Sequence, residues 1–390
     1  MVLLLFLFST LTPIGISYQD KEDRNDEIML TQWTGSYYIR ATYDNASCQL
    51  ICHIPVIHLH QTPVMITNVW SEPEDKVDGY HIAQNYSGSN ALLVVDLVEL
   101  PFNQKVNVFF NVSTIIKSDD YDDLPKELPI TNVESLPGDT KEWLTPSEFI
   151  QSDHWRINLL ASILNGFNNN LIKTTNRVSI YTGKIIRYLG GFPQDALTTL
   201  KHHFAVCTGK ANLAAALLRA NDIPARILMV FPTHYIVEYY AHPYGWVRSE
   251  TTQGKMPCPT QAYTVSFCAY PEDETVSNMI NGRSPYAGVI AYWGSSNDQV
   301  DWGIEYTKWK YLDDYSVSVS NEVLNQTFSL TQQGYRYFMN YTGASLTPTQ
   351  EMHYSDAVSF QTIALSSFKE HDLQGYIDNM HSACDCFEQI

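Results

Sequence analysis

The sequence has little charge, and most of the charge it has is of one sign. Charged residues make up only 17% of its 390 residues, against roughly 25% in an average soluble domain. Lysine and arginine total 24 while aspartate and glutamate total 42, which gives a net charge of −18 at pH 7. Because such a field repels phosphate backbones and anionic lipids, we expect neither nucleic acid nor a membrane surface as a partner.

Other absences narrow the function further. After the amino-terminal segment there is no second long apolar run, no glycine-rich phosphate-binding loop and no internal repeat. The pairs His58/His60 and His202/His203 lack a third ligand at a suitable spacing. We therefore expect no metal site and no cofactor.

The amino terminus is apolar but short. "MVLLLFLF" cannot span a bilayer, and it is followed by the small residues Gly15 and Ser17 and then by the polar "YQDKEDRNDE". This order predicts a signal peptide over residues 1–17, although a basic start is missing and a buried first strand is the alternative. Sequons outside 146–275 predict possible N-glycans at Asn45, Asn85, Asn111, Asn325 and Asn340. We predict a secreted or extracellular cell-surface protein with no membrane insertion after signal removal.

Seven cysteines leave one over if the rest pair in an oxidising compartment. Cys48 and Cys52 are close enough in sequence to pair, as are Cys258 and Cys268. A bridge within the terminal "CDC" would be strained. Cys207 is the odd cysteine, and it requires another explanation.

The periodicity of the chain predicts an α+β protein. Short β-branched and aromatic runs between turn-prone clusters predict an antiparallel, immunoglobulin-like β-sandwich over 18–120. A polar linker covers 121–145, and helices followed by an antiparallel sheet predict a core over 146–275. "AGVIAYW", "KWKYLDDYSVSVS" and "TFSLTQQGYRYFMNY" predict a β-rich C-terminal extension over 276–390, with a terminal helix. The aromatic "YWGSSNDQVDWGIEYTKWKY" is typical of sheet core, with a ligand groove as the alternative.

Cys207 opens a slender helix, "CTGKANLAAALLRAN", which Asn221 and Pro224 should end. A cysteine in the first helical turn meets unpaired amides and the positive end of the helix dipole, which favour a thiolate. The alternative is that Cys207 is simply a small buried apolar residue.

A base lies downstream in "HYIVEYYAHPYGWVRSE". If this segment is a hairpin centred near His242, then His234 and Glu250 stand directly opposite each other and point to the same face. A carboxylate in contact with an imidazole orients it for catalysis. Cys207, His234 and Glu250 are therefore our candidate catalytic triad, with Glu238 as a rival carboxylate on the same strand face.

The segment "DALTTLKHHFAVCTGKANLAAALLRANDIPARI" resembles the cysteine segment of the transglutaminase-like superfamily. "HYIVE" and "GWVRSETT" resemble that family's histidine and aspartate strands, and the resemblance covers about 146–252. It implies a papain-like core in which Cys207 is the nucleophile, His234 the base and Glu250 stands for the family's aspartate. The oxyanion partner, a tryptophan or glutamine in relatives, has no evident counterpart; the amide of Cys207 is the candidate.

The resemblance implies acyl transfer at a peptide or glutaminyl amide of a protein or peptide substrate, through a thioester on Cys207. Secreted microbial relatives favour a hydrolase or protease over a crosslinking enzyme. The alternative is an inactive scaffold that serves as a cell-surface or adhesion protein.

Overall fold

The computed structural model describes residues 26–84, 91–118, 121–166, 169–190, 194–231, 234–258, 265–267, 274, 289–292, 300–304 and 310–390. The predicted signal peptide, the sequon at Asn85, and Cys268 lie outside the described residues. Of the other sequon asparagines, Asn45, Asn325 and Asn340 are exposed, whereas Asn111 is half-buried and accepts a hydrogen bond from Thr34. Among the described helices, none is long and apolar enough to cross a bilayer.

Two antiparallel sheets form the predicted β-sandwich. Its first six strands are β1 (Asp26–Ala41), β2 (Ala46–Ile54), β3 (Gln61–Glu72), β4 (Val77–Gln84), β5 (Ala91–Leu100) and β6 (Lys105–Lys117). One sheet contains β1, β6 and β3 as neighbours, and the other contains β2, β5 and β4. Leu30, Leu50, Leu93 and Phe110 come from both sheets and share one buried cluster, so the alternating pattern of the sequence does bury one face of each sheet.

The core follows, with helices before strands. Its elements are α1 (Trp155–Asn165), α2 (Leu171–Ile180), β7 (Arg187–Tyr188), α3 (Ala196–His202), β8 (Phe204–Ala205), α4 (Cys207–Arg219), β9 (Ala225–Val230), β10 (His234–Ala241), β11 (Gly245–Ser249) and β12 (Val265–Phe267). The last four strands form an antiparallel sheet in the order β11-β10-β9-β12, and α4 packs against β9 and β10. This is the predicted α+β arrangement.

The segment between α2 and α4 is only partly helical. α2 ends at Ile180 and continues only as a wide π-helical turn over Tyr181–Ile185. The next residues form β7, which pairs in parallel with β8 through Arg187 with Phe204 and Tyr188 with Ala205. Because β8 lies immediately before Cys207, this pairing holds residues 187–189 beside the start of α4.

The C-terminal third joins the sandwich and then becomes helical. β13 (Val289–Tyr292) pairs with β2, while β14 (Val300–Ile304) and β15 (Lys310–Val319) both pair with β1. Three helices follow: α5 (Asn321–Tyr341), α6 (Pro348–Lys369) and α7 (Leu373–Phe387). Part of the "YWGSSNDQVDWGIEYTKWKY" segment therefore forms sheet, and its residues 293–299 and 305–309 lie outside the described residues.

The β interpretation of "TFSLTQQGYRYFMNY" is wrong, because this stretch belongs to α5. Its aromatic and threonine residues favour strands, but Leu324, Leu330, Tyr335 and Phe338 recur at helical spacing and are buried. α5 packs on β3 of the sandwich. Burial of one helix face thus outweighs the local strand propensity.

The predicted disulfide between Cys48 and Cys52 is also wrong. Cys48 and Cys52 lie four residues apart on the continuous strand β2, which separates their Cα atoms by about 13 Å. A disulfide requires roughly 4.4–6.8 Å. Cys384 and Cys386 lie two residues apart on α7 and so do not face each other. The pairing of Cys258 with Cys268 stays a prediction.

The segment predicted as a linker is packed rather than extended into solvent. Tyr121, Leu124, Leu136 and Trp143 are all buried, and Pro129 makes a bridge to Asn170 at the start of α2. The segment 121–145, which connects the sandwich to the core, is therefore structured.

Candidate active site

Cys207 is the first residue of α4, and its sulfur is mostly buried. The residue before it, Val206, makes no side-chain cap, and its amide donates to Oε1 of Gln194 at 3.0 Å. Gly209 lets the helix approach closely, because a Cβ there would lie 2.6 Å from Oε1 of Gln194 and 2.6 Å from Oγ1 of Thr199. The slender surface predicted from the sequence thus seats α4 against α3 and fixes the position of the thiol.

The surroundings of Cys207 favour its thiolate. Burial alone would raise the pKa of the thiol, but a hydrogen bond to the His234 side chain and the positive charge of that ring lower it. The backbone N–H groups of Tyr235 and Thr208 also donate to the sulfur and lower the pKa further. Together these donors bring the pKa of Cys207 below its ordinary value of 9.0, as expected for a thiol beside a cation at a helix N-terminus.

His234 lies between Cys207 and Glu250. Its Nε2 is 2.6 Å from Oε2 of Glu250, which leaves Nδ1 as the ring nitrogen for the sulfur. The other carboxylate oxygen of Glu250 accepts from the N–H of Thr252 at 2.9 Å. Both oxygens are therefore held, and the carboxylate cannot rotate away from the ring without losing a bond.

The charge state of His234 follows from these contacts. Burial would lower the pKa of the imidazole, but hydrogen bonds to Cys207 and Glu250 and their negative charges raise it to about 9. At neutral pH the ring is therefore protonated, while the neighbouring thiol tends toward its anion. The structure brings the three predicted residues together in line, with the imidazole of His234 between the sulfur of Cys207 and the carboxyl group of Glu250.

The predicted register of the hairpin is wrong by two residues. Strands β10 and β11 pair Val237 with Ser249 and Ala241 with Gly245, so the turn is centred on Pro243 rather than on His242. In this register Glu250 is diagonal to His234, not directly opposite. A shift of two keeps both side chains on one face, and the extra methylene of glutamate relative to aspartate lets the carboxylate span the diagonal.

Tyr188 is a site residue that the sequence did not reveal. Its hydroxyl makes hydrogen bonds with both the sulfur and the backbone N–H of Cys207. Burial comes first among the causes that raise the pKa of Tyr188, and the charge of Cys207 and the bond to its sulfur come next. Its ring remains 62% exposed at the surface. The pairing of β7 with β8 places it there, and no spacing in the sequence predicts that parallel contact.

Glu238, the rival carboxylate, belongs to a separate buried cluster of charged side chains. It lies directly between Arg226 and Arg248 across the sheet, and its Oε2 accepts from Nη2 of Arg226 at 2.9 Å. Nε2 of His58, from the loop before β3, lies 3.1 Å from the same oxygen. Burial would raise the pKa of Glu238, but the charges of His58 and the two arginines hold it well below its usual range.

This buried cluster joins the sandwich to the core, and it accounts for His58. Burial and the charges of Arg248 and His58 lower the pKa of the neighbouring His60 to about 3, so that ring is neutral. His202 and His203 are exposed at the end of α3. Within the part of the chain that the structure describes, no three His, Cys, Asp or Glu side chains are grouped to hold a metal ion.

Residues 158–251, which contain all four side chains of the site, match the family model of the Transglutaminase-like superfamily. No curated protein matches the sequence. A crystal structure of a "putative cysteine protease" from Cytophaga hutchinsonii is 18% identical, covers 74% of this chain and 92% of its own, and superposes with a TM-score of 0.53. A "putative protease" from Parabacteroides distasonis ATCC 8503 is 11% identical over 55% of this chain and 59% of its own, with a TM-score of 0.24 that is too low to bear on the fold.

Proposed function

Because the chain carries a transglutaminase-like core over residues 158–251, we propose that it is a cysteine enzyme that cleaves or transfers the acyl group of a peptide or glutaminyl amide. The observation that carries this proposal is the line of contacts from Cys207 through His234 to Glu250. A cysteine that merely filled the core would not need an imidazolium against its sulfur.

The reaction proceeds in two steps, acylation of Cys207 and release of the acyl group. The Cys207 thiolate attacks the carbonyl carbon, and the imidazolium of His234 gives its proton to the nitrogen that leaves, so that an amine departs and a thioester remains. Neutral His234 then takes a proton from water or from a second amine, which attacks the thioester and releases the thiolate. Glu250 holds the ring and stabilises its charged form throughout.

Two donors are placed for the oxyanion. The N–H of Cys207 belongs to the first turn of α4, where amides have no partner within the helix. The hydroxyl of Tyr188 bonds both to this N–H and to the sulfur, so it lies where the carbonyl oxygen of a substrate must come. Since the exposed ring can swing aside and donate to that oxygen, we assign Tyr188 and the Cys207 amide as the oxyanion hole.

Hydrolysis is favoured over crosslinking. The side chain of His234 is 36% exposed, so water can reach the face of the ring from which the thioester is attacked. Amine transfer uses the same residues and competes only where an amine is held closer than water. We therefore propose a hydrolase or protease, with protein or peptide as substrate.

The test is to trap the thioester on the whole chain. The protein is mixed separately with two substrates: a glutaminyl peptide, and the same peptide joined through an amide bond to a reporter amine. The intact mass of the protein is followed in the presence and absence of a fluorescent amine. We expect a covalent adduct on Cys207 that water removes and that Cys207→Ala abolishes. Amine incorporation faster than hydrolysis would show a transferase.

The competing function is an inactive surface scaffold. It predicts no adduct with any amide and a Cys207 that alkylates no faster than an ordinary thiol at neutral pH. Secretion is likewise part of the proposal. Expression in a eukaryotic cell should deliver the chain to the medium with glycans that an N-glycosidase removes, and cytosolic retention without glycans would contradict it.

A further inference from the structure

The charge of the chain is distributed very unevenly around the thiol. Residues 154–221 contain eight lysines and arginines against a single acidic residue, Asp195, and thus carry a net charge of +7. The remainder of the chain carries −25. This basic segment includes all of α1 to α4 and therefore contains Cys207, in a protein that is otherwise strongly acidic.

Half of these cations already have polar partners in the folded chain. Lys173 pairs with Glu127 at 2.6 Å, and Arg219 is buried against Glu274. Arg177 donates to the carbonyls that end α1, and Nζ of Lys210 lies 3.2 Å from the carbonyl oxygen of Gly183. The other four side chains are exposed and make no ion pair with a described residue: Arg156, Lys184, Arg187 and Lys201.

Two of the exposed cations lie next to the candidate active site. Arg187 precedes Tyr188 on β7, and its N–H donates to the carbonyl of His203 at 3.0 Å, four residues before Cys207. Burial and then the nearby charge of Lys184 lower the pKa of Lys210, whose Nζ lies over the ring of Tyr188 at 5.9 Å. Lys184 and Arg187 therefore lie within four residues of the tyrosine that touches the sulfur, on the same short segment.

The same short segment exposes apolar side chains beside the thiol. Ile185 is 47% exposed, Tyr188 62% and Leu189 50%. Their backbone is fixed, since the N–H of Leu189 donates to the carbonyl of Ala205 and β7 pairs with β8. Exposed apolar side chains on a fixed backbone next to a nucleophile offer contact to an apolar group of the substrate.

From this placement we propose that the acyl donor is an acidic segment of a protein, with an apolar residue beside the amide that reacts and aspartate or glutamate on either side. This inference rests on the proposed acyl-transfer function. The apolar residue packs on Ile185 and Leu189, and the flanking carboxylates pair with Lys184 and Arg187. A long polyanion fits less well, because beyond the basic segment it meets the rest of the chain, whose residues sum to a net charge of −25.

Binding to the Cys207→Ala protein tests the inference without turnover. Three fluorescent peptides share an apolar-glutamine centre and differ only in flanks of glutamate, glutamine or lysine. We expect the glutamate peptide to bind about ten-fold tighter than the glutamine peptide at low salt, with the difference shrinking as salt rises from about 20 to 200 mM. Equal affinity for the three peptides would overturn the proposal.

Charge substitutions locate the surface. K184Q/R187Q should weaken the glutamate peptide about five- to ten-fold and leave the glutamine peptide unchanged. R336Q/K369Q removes the same charge from the C-terminal helices and should leave both affinities unchanged. The proposal would be overturned if the two double substitutions weakened binding of the glutamate peptide equally. It would also be overturned if a sulfated polysaccharide displaced the peptide at a lower concentration than unlabelled peptide does. Because this binding needs no reactive thiol, an acidic preference with an inert Cys207 would refute only the enzyme function.

Discussion

Replacing Glu250 by aspartate is the most informative single change at the site. The family has aspartate at this position, so by resemblance E250D should be harmless. In this structure, however, we expect E250D to lower the activity. The carboxylate spans a diagonal and ends 2.6 Å from His234; shortening the side chain by about 1.5 Å would stretch that contact to about 4 Å, beyond hydrogen-bond range.

The magnitude follows from two contributions of Glu250. The rise in the His234 pKa from 6.5 to about 9 corresponds to about 3.4 kcal/mol. Cys207 shares that stabilisation, and the ring is 36% exposed, so about 1 kcal/mol remains for the charge of Glu250 after solvent screening. The hydrogen bond to Glu250 is the other part of the same shift, and charge-assisted bonds of this kind contribute about 1.5–3 kcal/mol. E250D should lose mainly the bond and E250Q mainly the charge.

The assay is the rate of thioester formation with the glutaminyl peptide. We expect kcat/KM to fall about 10- to 100-fold in E250D and only about five-fold in E250Q, which keeps the length of the side chain. An E250D protein as active as E250Q, or more active, would refute the diagonal geometry and show that β11 moves to bring a shorter carboxylate to the ring.

Three further substitutions test neighbouring parts of the account. Tyr188→Phe should lower kcat for acylation about 100-fold with little change in KM, because only an oxyanion donor is lost; an unchanged kcat would remove Tyr188 from the oxyanion hole. Glu238→Ala leaves Arg226 and Arg248 buried without their carboxylate and should cost about 3–5 kcal/mol in urea unfolding, whereas a loss below 1 kcal/mol would show that the cluster is hydrated. Gly209→Ala places a Cβ against Gln194 and Thr199 and should lower the free energy of unfolding by about 1–3 kcal/mol, again measured in urea. An unchanged free energy of unfolding would mean that α3 moves to make room for the methyl group.

The sequence predicts the parts of this fold that depend on local patterns. Alternation predicts the sandwich, and helical periodicity predicts the helices before Cys207; α1 ends at Gly166, which has a left-handed φ of 63°. Where tertiary packing decides, the predictions fail. α5 is helical despite its strand-forming residues, and the left-handed residue after α4 is Asp222 rather than Asn221. The side chain of Asn221 instead donates to the carbonyl of Ala161, a contact that no local pattern shows.

The candidate site divides in the same way. Cys207 is recognisable because small residues and a helix start surround it in sequence, and His234 and Glu250 because strand parity sets their face. Alternation along a strand is unchanged by a shift of two residues. The sequence therefore predicts correctly that His234 and Glu250 share a face of the hairpin, but not which residues of the two strands pair. Tyr188 depends on a parallel pairing of two short strands, and only the folded chain brings it to the sulfur.

The hydrogen bond and the charge of the His234 ring lower the pKa of the Cys207 thiol, and the pH dependence of alkylation measures this effect. Iodoacetamide labelling is followed peptide by peptide from pH 5 to 10. Burial raises the pKa of Cys384 to about 12 and also raises that of Cys386, so both serve as slow internal references. We expect a midpoint for Cys207 below 9, which moves upward in His234→Ala because the hydrogen bond and the charge of the ring are lost while burial still raises the pKa. A midpoint at or above 9 that His234→Ala leaves unchanged would contradict this expectation.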